Sequence, residues 1–226
     1  MFIAQVANYF GYGNTRTDYE DGSWSRNVLS CRLTKYRVRI IQHREILSGR
    51  LKPGGFVHTY LETVWSTYRR QKRPRKLDEV IQMLAIAELP SQLLETQLIQ
   101  IFVVMENLKY TYARAKKYPF IEGFFRKISS PPKPNPKKEP VLGFERLLGE
   151  TLSDVSMKPN LNRVIDLRNE IVHSGLSRKP PRTLIRTYEI CQDIVREYWL
   201  RLLGYDGEYL IYSQACRASK KLPHIR

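Results

Sequence analysis

Apolar residues recur every three or four positions along most of the chain after residue 53, which is the spacing of one face of a helix. The strongest case is residues 92–117, where further apolar side chains widen the main stripe. The main stripe consists of Leu94, Leu98, Ile101, Met105, Leu108 and Tyr112, and the widening residues are Ile99, Phe102 and Val103. A face this broad is typical of a helix at the centre of a bundle.

The same periodicity predicts five further helices, over residues 56–71, 76–89, 142–152, 161–175 and 178–204. Helix-breaking residues mark several of the ends. Pro90 precedes the long central helix, and Gly175 and Gly204 end two later ones. We therefore predict an all-α domain over residues 53–210, built as an antiparallel bundle of five or six helices.

Both ends of the chain differ from this pattern. Residues 1–52 are rich in turn-forming residues, and residues 27–42 alternate partly between apolar and polar, which predicts a short N-terminal β-strand segment. One or two strands are not stable alone. They must pack on the helical domain, on a second copy, or on the rest of a larger β region of which they are a remnant. Residues 211–226 are predicted to form a loose basic tail.

Composition narrows the class of function. The formal net charge of +16 predicts attraction to polyanions, first to nucleic acid and second to an anionic membrane surface. Cys31, Cys191 and Cys216 lack metal-ligand spacing, so we expect neither a disulfide framework nor a metal site. No stretch approaches the roughly 18 apolar residues of a membrane span, and no signal-peptide pattern is present. We expect a cytoplasmic protein that uses no cofactor and does not bind a membrane.

Two basic segments are candidates for contacts with RNA. Residues 68–76 carry Arg69, Arg70, Lys72, Arg73, Arg75 and Lys76. These cations either contact a phosphate backbone or form a solvated loop between helices. Residues 129–140 contain prolines that prevent a helix and lysines that keep the segment in water. A plain surface connector is the main interpretation of this second segment, and a nucleic-acid contact is the alternative.

The predicted helix over residues 161–174 contains a charge within an apolar stripe. Leu161, Ile165 and Val172 are spaced as one helical face, and Arg168 lies in the middle of it. A buried guanidinium without a partner costs on the order of several kcal/mol, so something must compensate this cation.

Three interpretations of this arginine remain open. Arg168 pairs with an internal carboxylate such as Glu106 or Glu170, or it acts with His173 on a phosphodiester, or it binds phosphate without cutting it. Arginine matches phosphate oxygens bidentately, and histidine exchanges protons near neutral pH. RNA supplies its own nucleophile, the 2′-hydroxyl, so these two side chains could cleave RNA without a metal.

The residues "RNEIVH", 168–173, resemble the R-N-x-x-x-H form of the R-x(4–6)-H signature of the HEPN superfamily (higher eukaryotes and prokaryotes nucleotide-binding). Their context is similar too, since a long apolar helix containing "VVMENL" lies upstream and an amphipathic helix follows. The resemblance is strongest to the HEPN domains of abortive-infection and ApeA-type defence proteins. It covers roughly residues 55–205.

The resemblance implies an all-α bundle that forms a homodimer with a composite active site, and a metal-independent endoribonuclease used in phage defence or as a toxin. It implies RNA as substrate and an antitoxin or a larger defence complex as a possible partner. Arg168 and His173 match the motif residues, Asn169 matches the intervening polar position, and Glu106 is the candidate helical acid. Since some members of the superfamily lack activity, the alternative is a non-catalytic module that binds RNA or nucleotide and mediates dimerisation.

Overall fold

A computed structural model of the chain describes residues 55–87, 93–129, 131, 133–214 and 219–222. Most of these residues lie in six α-helices. They are α1 (Gly55–Gln71), α2 (Leu77–Ala87), α3 (Leu94–Ala115), α4 (Phe144–Ser153), α5 (Asn162–Ser174) and α6 (Pro181–Leu202). The prediction of a mostly helical domain after residue 53 is confirmed, whereas the strands predicted within residues 1–52 lie outside the described residues.

Helix α3 is central to the bundle and contacts α2, α4, α5 and α6. Its predicted main stripe is buried from Leu98 to Tyr112, and burial of each large apolar side chain contributes about 1.5–3 kcal/mol. The predicted widening is confirmed for Phe102 but wrong for Ile99 and Val103, whose side chains are 39% and 46% exposed. No described helix covers that side of α3.

Helix α6 is buried around most of its circumference. The predicted inner face is confirmed from Leu184 to Tyr198, and Trp199 and Leu200 are buried beside it. Side chains from beyond the helix, including Tyr205 and Tyr209, belong to the same core cluster. Segments that follow α6 therefore complete the core around it.

A small antiparallel sheet interrupts the helices, so the prediction of an all-helical segment after residue 53 is wrong at this point. It consists of β1 (Phe120–Ile121), β2 (Phe124–Arg126) and β3 (Val141–Leu142), in that order. The two residues between β1 and β2, Glu122 and Gly123, have φ angles of 53° and 83°. This left-handed pair is the backbone of a tight hairpin turn, which glycine favours.

A second pair of strands follows α6, formed by β4 (Glu208–Leu210) and β5 (Ser219–Lys221). The expectation of a loose tail is wrong for these residues, because Ile211 and Leu222 are buried against the helical core. The carboxylate of Glu197 on α6 ties the pair down, accepting hydrogen bonds from Tyr209 on β4 and from Lys220 on β5.

Candidate functional site

Helix α5 carries the motif residues, and its buried face differs from the predicted one. Val164, Leu167 and Ile171 are buried. Of the predicted line, Leu161 is buried and Ile165 is partly buried against the core, whereas Val172 is 51% exposed. The core therefore faces a stripe rotated away from the predicted line through Leu161, Ile165, Arg168 and Val172. Arg168 lies at the border of the buried face rather than in its middle, so its side chain reaches solvent.

The guanidinium of Arg168 is held by three neighbouring groups. Its Nη2 lies 3.0 Å from Oε1 of Glu106 on α3, and its Nη1 donates to Oδ1 of Asn169 at 3.1 Å. The guanidinium carbon lies 4.8 Å from the ring centroid of Phe144, the first residue of α4. The partner carboxylate is thus Glu106. The alternative, Glu170, instead accepts a hydrogen bond from the backbone N–H of Arg178.

The Arg168–Glu106 pair remains open to water, with side-chain exposures of 23% and 37%. Glu106 also pairs with Lys109 at 2.6 Å. Two cations therefore share one carboxylate, and the local charge is positive. Within the described part of the chain, the buried Nε of Arg168 has no hydrogen-bond partner. The arginine is oriented by its neighbours while its charge is only partly neutralised.

An open cavity of about 560 Å³ lies beside this guanidinium. Its walls are the first turn of α4 and the exposed side of α5. The lining residues are Gly143, Phe144, Glu145, Arg146, Ile165, Arg168 and Asn169. The first turn of a helix presents backbone N–H groups without intrahelical acceptors, which favour anions. Two arginines beside such a turn can bind a phosphate group, with the carboxylate of Glu145 as the opposing charge.

His173 has an exposed side chain in the last turn of α5 and does not line this cavity. It is five positions from Arg168, so the two side chains project about 140° apart around the helix axis, but it lies one turn beyond Asn169, about 40° from that side chain. Gly175 then ends the helix with a φ of 75°, and its N–H donates to the carbonyl of Ile171. Within one chain, α3 and α5 bring Arg168, Asn169 and Glu106 together, while His173 is exposed and outside the lining of the cavity.

The basic segment at residues 68–76 is divided between surface and core. Arg69, Arg70, Arg73 and Lys76 are exposed, as an RNA contact requires. Lys72 is partly buried and forms an ion pair with Asp78 at 2.9 Å. Arg75 is buried, with its guanidinium carbon 5.8 Å from the ring centroid of Tyr112. The prediction that Arg75 contacts RNA is therefore wrong, because its side chain packs inside the bundle.

The remaining candidate chemistry lies in the core or outside the described residues. Cys191 is buried, and burial raises the pKa of its thiol well above the usual range. Cys31 and Cys216 lie outside the described residues. Among the described residues, no group of three or more His, Cys, Asp or Glu side chains could hold a metal ion. None of the described helices is both long enough and apolar enough to cross a membrane.

Sequence reasoning missed Phe144 and Arg146 as members of the site. The chain matches no family model, no curated protein and no solved structure. The HEPN resemblance therefore stays a prediction carried by the motif and its helical context.

Proposed function

We propose that the chain is a metal-independent endoribonuclease that acts as a homodimer and holds an RNA phosphate at Arg168. The observation that carries the proposal is the position of the Arg168 guanidinium at an open cavity, with Arg146 on the opposite wall. The ring of Phe144 and the carboxylate of Glu106 orient this guanidinium. A preorganised cation of this kind stabilises the charge that develops on a phosphate during cleavage.

The reaction consistent with these side chains is attack of the 2′-hydroxyl on the adjacent phosphorus. The P–O bond to the 5′-oxygen breaks, leaving a 2′,3′-cyclic phosphate and a 5′-hydroxyl. Histidine accepts the proton of the 2′-hydroxyl or donates one to the leaving oxygen. Arg168 neutralises the negative charge of the phosphorane. Asn169 accepts a hydrogen bond from the guanidinium of Arg168 at 3.1 Å and fixes the orientation of that group. DNA lacks the 2′-hydroxyl and is not a substrate for this chemistry.

A second copy of the chain supplies the histidine in this proposal, because His173 does not line the cavity of its own chain. Apolar side chains border the Arg168–Glu106 pair and remain exposed. They are Ile99 and Val103 on α3 and Val172 on α5. Exposed apolar residues beside a charged site are a suitable centre for a two-fold interface. Such pairing would place His173 of the partner subunit opposite Arg168.

The second candidate is a non-catalytic module that binds RNA or nucleotide and mediates dimerisation. The absence of His173 from the cavity lining favours it, since Arg168, Arg146 and the cavity are sufficient for binding without cleavage. The role in phage defence or as a toxin, with an antitoxin or a larger defence complex as partner, rests on the HEPN resemblance alone. A toxicity assay on expression, with His173→Ala as the comparison, tests that role.

Mixing two inactive variants separates a composite site from a site within one chain. Arg168→Ala and His173→Ala are each expected to abolish cleavage of mixed tRNA, with an unchanged helical circular dichroism spectrum. Unfolding and refolding them together produces heterodimers with one intact composite site. About a quarter of the wild-type activity should return, because half the dimers are mixed and each has one of two sites. Absence of recovery contradicts the two-chain site, and intact RNA with wild-type protein supports the non-catalytic candidate.

A further inference from the structure

The hairpin formed by β1 and β2 presents aromatic side chains to solvent. Phe120 and Phe124 are each 53% exposed, and Phe125 of β2 is buried. Phe120 is paired with Phe125 and shares its face of the sheet, whereas Phe124 faces the opposite, outer side of the hairpin. The ring centroids of Phe120 and Phe125 lie 4.9 Å apart, so the Phe120 ring packs on the buried one. Exposed aromatic rings on a short hairpin cost solvation energy and are typical of surfaces on which another flat group stacks.

The proline-containing segment that joins β2 to β3 is tied to the hairpin. The buried carboxylate of Glu139 accepts hydrogen bonds from the backbone N–H groups of Ser129 and Lys133, at 3.0 and 2.7 Å. Arg126 of β2 donates from Nη1 to the carbonyls of Lys137 and Glu139, at 2.6 and 2.9 Å. The described residues Ser129, Lys133, Lys137 and Glu139 are therefore held to one another and to β2 by hydrogen bonds. The lysine side chains of the segment stay on the outside.

The surface around the hairpin is strongly basic. Residues 116–140 contain seven lysines and arginines against two glutamates. Both glutamates are engaged, since Glu139 lies inside the loop and Glu122 pairs with Lys137 at 2.5 Å and with Arg126 at 3.8 Å. All six lysines of this stretch have exposed side chains, and four of them follow β2. These four are Lys127, Lys133, Lys137 and Lys138.

This surface is continuous with the Arg168 cavity. The carboxylate of Glu150 on α4 is shared by Lys127, at 2.9 Å, and by Arg146, at 3.8 Å. Arg146 lines the cavity, and Lys127 directly follows β2. A line of cations thus leads from Arg168 through Arg146 and Lys127 to the loop lysines. Such a line follows the phosphates of a polyanion.

We propose that the hairpin platform, defined as Phe124, Lys127, Lys133, Lys137 and Lys138, binds single-stranded RNA and leads it to the Arg168 cavity. The role as a path to that cavity rests on the proposed function. An unpaired base stacks on the outward ring of Phe124 while the lysines contact the neighbouring phosphates. Paired bases in a duplex have their faces covered, so the platform selects single strands. This assigns the proline-containing loop to RNA contact, the interpretation that the sequence alone favoured less.

The test is binding of fluorescein-labelled oligouridine to the full chain, measured by fluorescence anisotropy. All variants carry His173→Ala so that cleavage does not interfere. Phe124→Leu should weaken binding at least about fivefold, while Phe120→Leu, on the opposite face, leaves it as it is, and binding of a blunt-ended RNA duplex stays unchanged in both. Joint replacement of Lys133, Lys137 and Lys138 by glutamine should reduce the slope of log affinity against log salt by about 2.

A matched control removes the same charge elsewhere. The exposed residues Arg182, Arg186 and Lys221 are replaced by glutamine together, and the salt slope should stay as it is. Equal losses in the two charge variants, or a Phe124→Leu variant that binds oligouridine normally, overturn the platform. Circular dichroism spectra confirm that each variant is folded.

The two proposals fail separately. Cleavage of RNA by the wild-type chain, together with unaffected binding in the Phe124→Leu variant, refutes the platform and leaves the ribonuclease proposal intact. Weakened binding in that variant, together with a wild-type chain that cuts no RNA, supports the platform and refutes the ribonuclease.

Discussion

Replacing Glu106 by glutamine tests whether Arg168 is held for a ligand or for the fold. The carboxylate is 3.0 Å from Arg168 and 2.6 Å from Lys109. Glutamine keeps the length of the side chain and one hydrogen-bond acceptor while removing the charge. If Arg168 binds a phosphate, the carboxylate of Glu106 competes with that phosphate for the guanidinium. Removing the charge of Glu106 should then strengthen anion binding.

The exposure of the pair sets the expected magnitude. With side chains 23% and 37% exposed, water screens the interaction, and ion pairs of this kind contribute roughly 0–1 kcal/mol. Glu106→Gln should therefore lower the free energy of unfolding by less than about 1 kcal/mol. The freed charge on Arg168 and Lys109 should raise affinity for oligouridine by up to about fivefold, which corresponds to 1 kcal/mol. If Glu106 also takes part in the reaction, cleavage falls although binding improves.

Urea denaturation followed by circular dichroism measures the free energy of unfolding. Fluorescence anisotropy in the His173→Ala background measures the affinity for oligouridine. Glu170→Gln is the matched control, because it makes the same change of net charge on α5 while its carboxylate contacts Arg178 and Lys179. A loss of 3–5 kcal/mol on replacing Glu106 would refute the reasoning. It would mean that Arg168 behaves as a buried charge that depends on its partner. Weakened anion binding would refute it equally.

Three further predictions concern the fold. Leu108→Ala removes a fully buried side chain at the centre of α3 and should cost about 2–5 kcal/mol in urea denaturation; a smaller loss would contradict its central position. Arg75→Met replaces a buried guanidinium whose Nε and Nη1 have no hydrogen-bond partner among the described residues. Thermal denaturation should therefore show an unchanged or raised Tm, and a clear fall in Tm would contradict this expectation. Glu197 is partly buried, which opposes ionisation, but hydrogen bonds from Tyr209, Lys220 and Arg201 lower its pKa below the ordinary value of 4.5. The stability it contributes is present above pH 4.5 and lost as the pH falls through the lower folded-state pKa. Glu197→Gln should lower the free energy of unfolding by about 1–3 kcal/mol at neutral pH, and its Tm should depend less on acid pH than that of the wild type. Equal dependence of the two Tm values on acid pH would exclude a stabilising role of the ionised carboxylate.

The helical part of the fold could be predicted from local pattern because each helix shows its buried face within a few turns of sequence. Leu98 to Tyr112 on α3 and Leu184 to Tyr198 on α6 follow that pattern and are buried. The hairpin was missed although a signal was present. In "FIEGFF" two apolar aromatic runs flank a two-residue segment ending in glycine, which is a hairpin pattern too short to outweigh the helical periodicity around it.

The orientation of α5 shows where local pattern was insufficient. Its apolar residues fit two stripes, one through Ile165 and Val172 and the other through Val164, Leu167 and Ile171. Both satisfy helical spacing. Which stripe is buried depends on the side that neighbouring helices cover, and α3 and α6 cover the stripe through Val164, Leu167 and Ile171. Arg168 therefore lies at the border of the core and not within it.

The sequence by itself determined the helical class of the domain, its basic charge, and the presence of an arginine, an asparagine and a histidine on one helix. Those properties depend on residues near one another in the chain. Only the tertiary structure decided that Glu106, 62 positions away, pairs with Arg168, that Arg75 lies inside the bundle, and that Arg146 lines the same cavity as Arg168. Contacts between distant segments depend on how whole helices pack, and no local spacing encodes them.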